Sequence, residues 1–299
     1  MPLHLYLEGV LSLTDIRVVP STTPQFLTWL PRDPALAGVV AYYYVHFSDD
    51  ENHESRFEYY PHYRNAVTAY VDADLHFNDF GSEVLPSESH SVSVLYTRNY
   101  SHSINVHIRG RFRKMGIAFE PLGVNHFIGD SLSSVAPRTV NVFLEFGSEF
   151  ECMVKTALDQ PRQDPRTLIE DFLVPRLRKF DCQTLHRAVA GVVENEGGWS
   201  VESLASELEV SRKTLLRLFK RHLCCTVEDY RKLVRFRNAL NDYREQPLPI
   251  TFTELAHKHR YYDQPAFIRH FKSVTGLTPR AFFAGLRQYG ANDTYWSPR

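Results

Sequence analysis

Residues 199–223 read WSVESLASELEVSRKTLLRLFKRHL, and the spacing of their apolar residues predicts two short helices joined by a tight turn at Glu209-Val210. Ser200 and Ser211 each stand directly before one of the helices, where a hydroxyl can accept the unpaired N–H groups of a helix start. The second helix carries an apolar stripe on one face, formed by Leu215, Leu218, Phe219 and Leu223.

Basic residues lie mostly off this stripe, and they are Arg212, Lys213, Arg217, Lys220 and Arg221. A short helix, a tight turn and a second helix with a basic outer face are typical of a helix-turn-helix unit that reads DNA. The alternative is a solvated helix face, which charge alone does not exclude.

A similar pattern recurs at 252–272, which reads FTELAHKHRYYDQPAFIRHFK. Asp263 can cap the second helix of this unit, with Pro265 inside its first turn. Between the two units, residues 227–244 form one long amphipathic pattern, and a helix of that length spans about 27 Å. Such a rod can hold two reading helices roughly one DNA turn, about 34 Å, apart.

The distribution of charge supports a polyanionic partner for the C-terminal part. The chain has 299 residues, enough for two domains, and its net charge is −1. Residues 1–180 contain 16 Lys and Arg against 22 Asp and Glu, whereas residues 181–299 contain 18 against 13. A basic C-terminal part beside an acidic N-terminal part suggests binding to nucleic acid.

The N-terminal half is rich in short extended runs, at 39–47, 66–71, 91–97, 104–110 and 113–121. Their β-branched and aromatic residues predict an antiparallel sheet or barrel. Helical patterns follow at 148–160, 167–180 and 182–195, the last ending at Gly197-Gly198. We therefore expect an α+β protein: an antiparallel β-rich domain with trailing helices, then an all-α domain with two helix-turn-helix units and a boundary near residue 180.

Over about 195–285 the sequence resembles the AraC/XylS family of transcription regulators. The matching stretches are SLASELEVSRKTLLRLFK, the RFRNAL segment of the linking helix, and LAHKHRYYDQPAFIRHFKSVTGLTPRAFF. The resemblance implies a sequence-specific DNA-binding transcription factor, with residues 181–290 as its DNA-binding domain. It also implies an N-terminal effector or dimerisation domain over 1–180, often a cupin-like barrel in this family.

By position in the motif, the resemblance implies two sets of DNA contacts. The expected base readers are Lys213, Leu216, Arg217, Gln264, Pro265 and Arg269. The expected phosphate contacts are Arg212, Lys220, Arg221 and Lys272. Arginine can bond both acceptors of guanine and glutamine can pair with adenine, whereas phosphate contacts position the protein without specifying sequence.

Three positions depart from the family pattern. Arg260-Tyr261 stands where the family usually has Gly-Phe, Cys224 replaces a glycine, and Val227 replaces a proline. Glycine adopts positive φ at little cost and arginine does not, so the turn before the second reading helix need not follow the family's form.

An aromatic cluster in the N-terminal half has two interpretations. Its alternating tyrosines predict a small-molecule pocket lined by Tyr42, Tyr44, Phe57 and Tyr59. The alternative is a barrel core with tyrosine hydroxyls at its rim. Nine of the fourteen histidines precede residue 130, but they lack the spacing typical of a metal site, so we expect no metal and no cofactor.

Other function classes have weaker support. The sequence contains no GxSxG, P-loop or Rossmann pattern, so we expect no enzyme. Two competing hypotheses are a ligand-carrying or enzymatic domain tethered to DNA, and a helical adaptor that binds only proteins. The start, MPLHLYLEGV, lacks the features of a signal peptide, and four cysteines without CxxC spacing predict free thiols. We expect a cytoplasmic protein without a membrane partner, whose partners are double-stranded DNA, a small-molecule effector, a second copy of the chain and RNA polymerase.

Overall fold

A computed structural model of the chain describes residues 24–245, 250–285, 287–288 and 295–298. Residues 1–10, on which the signal-peptide prediction depends, lie outside this part. A β-rich N-terminal region precedes a helical C-terminal region, so the predicted α+β class is confirmed.

Twelve strands are present in the described part of the chain. They are β1 (Gln25–Trp29), β2 (Val40–Ser48), β3 (Glu54–Tyr59), β4 (Asn65–Val71), β5 (Ala73–Phe77), β6 (Gly81–Pro86), β7 (Val92–Thr97), β8 (Ile104–Arg109), β9 (Phe112–Phe119), β10 (Val140–Val142), β11 (Arg287–Gln288) and β12 (Tyr295–Pro298). All five extended runs named above form strands.

The strands form two six-stranded sheets. The first has the order β1-β2-β9-β4-β7-β10 and the second has the order β11-β12-β3-β8-β6-β5. Every neighbouring pair is antiparallel except β6 and β8, which run parallel. The two sheets face each other and enclose a cavity lined from both sides, which gives the barrel-like form expected of this half.

The described residues also form ten α-helices. They are α1 (Leu132–Val135), α2 (Gly147–Asp159), α3 (Arg166–Leu173), α4 (Gln183–Glu194), α5 (Val201–Glu207), α6 (Arg212–Leu223), α7 (Val227–Glu245), α8 (Phe252–Lys258), α9 (Gln264–Thr275) and α10 (Pro279–Gly285). Helix α3 ends before the predicted limit at 180, because Pro175 lies in a 3-10 turn at Val174–Arg176 that closes it.

The hydrophobic cores divide near the proposed domain boundary. Helices α2 and α3 pack against the first sheet, and the last residue of that core is Leu173. The next buried helical residue, Leu185 on α4, belongs to the core of the first helix-turn-helix unit. This division supports the proposal of a boundary near residue 180, although β12, beyond residue 290, pairs with β3 of the N-terminal half.

The two halves share buried residues. Leu122, from the N-terminal half, packs in the core of the first helix-turn-helix unit. Tyr60, at the end of β3, packs in the core of the second, where its ring lies 4.8 Å from that of Phe282. Arg237 on α7 is 1% exposed, and its guanidinium donates to the backbone carbonyls of Tyr60 (2.7 Å) and Pro61. These contacts fix the helical region against the β-rich region.

We expect Arg237→Ala to lower the free energy of unfolding by about 3 kcal/mol, because it removes the donor from two carbonyls at a buried junction and leaves a cavity. Chemical denaturation followed by circular dichroism measures the change. The matched control is Lys232→Ala, at an exposed position of the same helix, which should change stability by less than about 0.5 kcal/mol. Equal effects of the two variants would contradict the role given to Arg237.

Candidate nucleic-acid interface

Side-chain caps start the helices of the first unit at the predicted positions. The Ser200 hydroxyl accepts from the N–H of Ser203, and the Ser211 hydroxyl accepts from the N–H of Thr214, each at 3.0 Å. Between α5 and α6, Glu209 adopts a φ of 55°, which makes the turn tight. Leu215, Phe219 and Leu223 are buried, so the opposite face of α6 is turned to solvent.

The second unit begins with a feature that the sequence analysis missed. Thr251 and Glu254 form a capping box at the start of α8, in which each side chain accepts from the other residue's backbone N–H. The Thr-x-x-Glu spacing before an apolar run is a recognisable signal for this motif. Asp263 caps α9 as predicted, accepting from the N–H of Ala266 at 2.7 Å.

The turn before α9 keeps left-handed geometry although arginine replaces glycine. Arg260 has a φ of 56°, a value that costs an L-residue energy. Its Nη1 donates to Oδ1 of Asn195, which follows α4, at 3.0 Å. Gly198 leaves space for this guanidinium, since a Cβ there would lie 2.2 Å from Nη1 of Arg260. The hydrogen bond to Asn195 therefore stabilises a left-handed turn that a glycine could adopt without such a contact.

Cys224 adopts the same conformation after α6, with a φ of 57°. Its backbone carbonyl accepts from Nη1 of Arg98 at 3.5 Å, and its thiol lies 3.8 Å from the carbonyl of Ala136. Both partners belong to the N-terminal half. Contacts with the N-terminal half thus stabilise the left-handed conformation of Cys224, the second position where the family usually has glycine.

Five of the six predicted base readers are exposed: Lys213, Leu216, Arg217, Pro265 and Arg269. The sixth, Gln264, is half-buried, and its side-chain oxygen accepts from the hydroxyl of Thr253 at 2.9 Å. That bond occupies the oxygen that would accept from the amino group of adenine, so reading a base would require Gln264 to exchange Thr253 for DNA.

The predicted phosphate contacts are also exposed, and they are Arg212, Lys220, Arg221 and Lys272. Arg212 forms an ion pair with Glu202 of α5 at 2.7 Å. Both side chains are more than half exposed, so this pair is weak and leaves Arg212 able to meet a phosphate. Within the described residues, the other three form no ion pair with an acidic side chain.

The four aromatic residues predicted to bind a ligand line one cavity. Tyr42 and Tyr44 reach it from β2 of the first sheet, and Phe57 and Tyr59 reach it from β3 of the second. The cavity volume is about 100 Å³. Arg237 of α7 also lines it, so the cavity extends to the helical region.

Local sequence explains how the tyrosines are placed. Along β2, Tyr43 points to the opposite side and is buried in the core against the helices, as the alternation of a strand requires. The ring of Tyr44 lies across Gly116 of β9, where a Cβ would come within 2.1 Å of it. Its hydroxyl bonds that of Thr68 at 2.6 Å, and burial raises the pKa of Tyr44 well above its ordinary value.

Two further observations concern metal and membrane. Within the described residues, the structure holds no group of three or more His, Cys, Asp or Glu side chains placed to bind a metal ion. Over the same part of the chain, every helix is too short or too polar to cross a bilayer.

Comparison with known proteins agrees with the C-terminal geometry. The family model described as a helix-turn-helix domain matches residues 204–285. A search of curated protein sequences gives no match.

Among solved structures, ToxT from Vibrio cholerae shows 10% identity and a TM-score of 0.41, over 87% of this chain and 96% of that chain. ToxT from strain SCE256 with an unsaturated fatty acid bound shows 11% identity and a TM-score of 0.38, over 79% and 93%. At these identities and TM-scores, nothing about ligand or mechanism is transferred from ToxT to this chain. The match to residues 204–285 agrees with the capped helices seen there, and this part of the chain is a helix-turn-helix domain.

Proposed function

We propose that this protein is a sequence-specific transcription regulator that binds double-stranded DNA through α6 and α9. One observation carries the proposal: each of these helices is capped at its start, buries an apolar stripe and turns cationic side chains to solvent. Each is the second helix of its unit, and that helix lies in the major groove in helix-turn-helix proteins.

Arg217 and Arg269 are the residues best suited to read bases. Each is exposed on a reading helix, and within the described residues neither forms an ion pair that would hold it to the protein. A guanidinium can donate to O6 and N7 of guanine together, which discriminates against the other bases. Lys220, Arg221 and Lys272 lie further along the same helices and suit phosphate oxygens.

We further propose that the cavity between the sheets binds a small effector molecule. A volume of about 100 Å³ is below the roughly 150 Å³ of a cavity known to hold benzene, so the ligand is compact or displaces side chains. The lining includes six Phe and Tyr side chains, and its cations are Arg64, Arg237 and Lys114. Lys114, on β9, is 5% exposed. Its Nζ lies 5.7 Å and 5.5 Å from the ring centroids of Phe57 and Tyr70, which favours a ligand with an acidic group.

The family resemblance adds expectations that stay predictions. They are a homodimer, a contact with RNA polymerase, location in the cytoplasm, and a regulatory rather than an enzymatic role. A helical adaptor that binds only proteins remains the competing hypothesis, and measurement of DNA binding separates the two.

We expect Arg217→Ala and Arg269→Ala each to weaken binding to a duplex selected from a random pool by about 1–3 kcal/mol, and to relax preference at one base position. Fluorescence anisotropy at fixed salt measures the affinity. The control is Arg187→Ala on α4, which removes the same charge outside both reading helices and should change affinity far less. If both Arg217→Ala and Arg269→Ala keep the base preference of the wild type, these arginines do not read bases. If the wild-type chain binds no DNA, the adaptor hypothesis is favoured.

The buried amine of the cavity gives a prediction about pH. Burial lowers the pKa of Lys114 to about 7 in the folded protein, whereas an unfolded chain keeps an ordinary value near 10. Below about pH 7 the amine is charged in both states, so the folded protein bears the full free-energy cost of burying that charge. Between pH 7 and pH 10 only the unfolded state keeps the proton, so this cost falls and the folded state gains stability as the pH rises.

We expect Lys114→Met to be more stable than the wild type at pH 7 and to lose about 3 kcal/mol of that advantage by pH 10. Denaturation across this pH range measures it. Lys155→Met, at an exposed position on α2, is the matched control, because it makes the same substitution outside the cavity. A stability difference between Lys114→Met and the wild type that stays constant from pH 7 to pH 10 would mean that water reaches the amine freely.

A further inference from the structure

We propose that the N-terminal domain forms part of the DNA interface, through a groove between α1 and α6 that receives one strand of the DNA backbone. The inference rests on the proposed function, and it adds a contact from outside the helix-turn-helix units.

The groove has a volume of about 750 Å³ and is open to solvent. Its cations are Lys213, Arg217, Lys220 and Arg221 of α6. Three hydroxyl groups also line it, and they belong to Ser211, Thr214 and Ser133. Ser133, on α1, comes from the N-terminal half. Within the described residues, the lining includes four cations and no carboxylate, which complements a chain of phosphates.

The contacts at the end of α6 fix the shape of this groove. The last carbonyls of a helix lack partners within it, and here the N-terminal half supplies them. The side-chain amide of Asn125 donates to the carbonyl of His222 at 3.1 Å, and that of Asn99 donates to Leu223 at 2.9 Å. Helix α1 also packs directly against α6, so the two walls of the groove are in contact with each other.

The position of these contacts favours DNA binding over obstruction. Bases are read mainly by the N-terminal residues of a recognition helix, whereas the N-terminal half holds the opposite end of α6. Lys213, Leu216 and Arg217 are exposed in this arrangement. These three residues line the groove, which continues to Lys220 and Arg221 further along α6, where a phosphate strand can run when α6 lies in the major groove.

Ser133 is suited to a phosphate contact. Its side chain is exposed, and its hydroxyl pairs with that of Ser131 at 3.1 Å. Serine hydroxyls are common donors to phosphate oxygens. Ser134 is also exposed and shares the same partner at 2.9 Å, but it does not line the groove. Ser133 and Ser134 are thus alike in exposure and hydrogen-bond partner, but only Ser133 lines the groove with the cations of α6.

The experiment measures the affinity of the full chain for a random-sequence duplex at several salt concentrations. We expect Ser133→Glu to weaken binding about tenfold at low salt, with less effect as salt screens the added charge. Ser133→Lys should tighten binding, because the new charge has the opposite sign. Ser134→Glu and Ser134→Lys should each change affinity by less than about twofold.

Several outcomes would overturn the proposal. Equal effects at the two serines would show that the added charge acts from a distance. Tighter binding by Ser133→Glu would mean that α1 obstructs DNA instead of contacting it. Weakening by both Ser133 variants would indicate a steric or folding effect, since misfolding does not depend on the sign of the charge. If the wild-type chain binds no duplex, the proposed function itself is wrong, whereas wild-type binding with unresponsive variants rejects only the groove.

Discussion

Packing of α7 into two hydrophobic cores is the constraint on which the DNA-binding half depends. Val227, Tyr230 and Val234 are buried with the first helix-turn-helix unit, and Phe236, Ala239 and Leu240 are buried with the second. Because one helix completes both cores, it also fixes the orientation of α6 relative to α9, and a rod of nineteen residues is about 28 Å long.

The same helix connects DNA binding to the rest of the molecule. Arg237 lies among the core residues of α7, bonds the carbonyls of Tyr60 and Pro61, and lines the aromatic cavity. A buried guanidinium is costly unless acceptors surround it. Movement of α7 away from the loop after β3 would separate Arg237 from its acceptors, so the positions of this helix and this loop depend on each other. The cavity between the sheets and helix α7, which packs against both helix-turn-helix units, therefore share one side chain.

Sequence reasoning succeeded where the controlling interactions are local. Ser200, Ser211 and Asp263 cap helices within three residues of themselves, and apolar periodicity identified the buried face of α6. It missed the other seven strands in the described part of the chain, which are short or polar and are held by pairing with neighbouring strands: β1, β3, β5, β6, β10, β11 and β12. Four of the aromatic residues that line the cavity were named from the sequence and two, Phe26 and Tyr70, were not; alternation alone did not distinguish a pocket from a core.

Apolar periods and capping residues are enough to predict two capped, cationic helix-turn-helix units joined by an amphipathic helix and preceded by a β-rich half. Those features depend on periods and caps that span only a few residues. The tertiary structure alone decided that Arg260 and Cys224 adopt left-handed conformations, since their support comes from Asn195 and Arg98, which are distant in the chain. It also decided that Asn99 and Asn125 hold the end of α6, because which side chain meets which carbonyl depends on how two folded halves pack together.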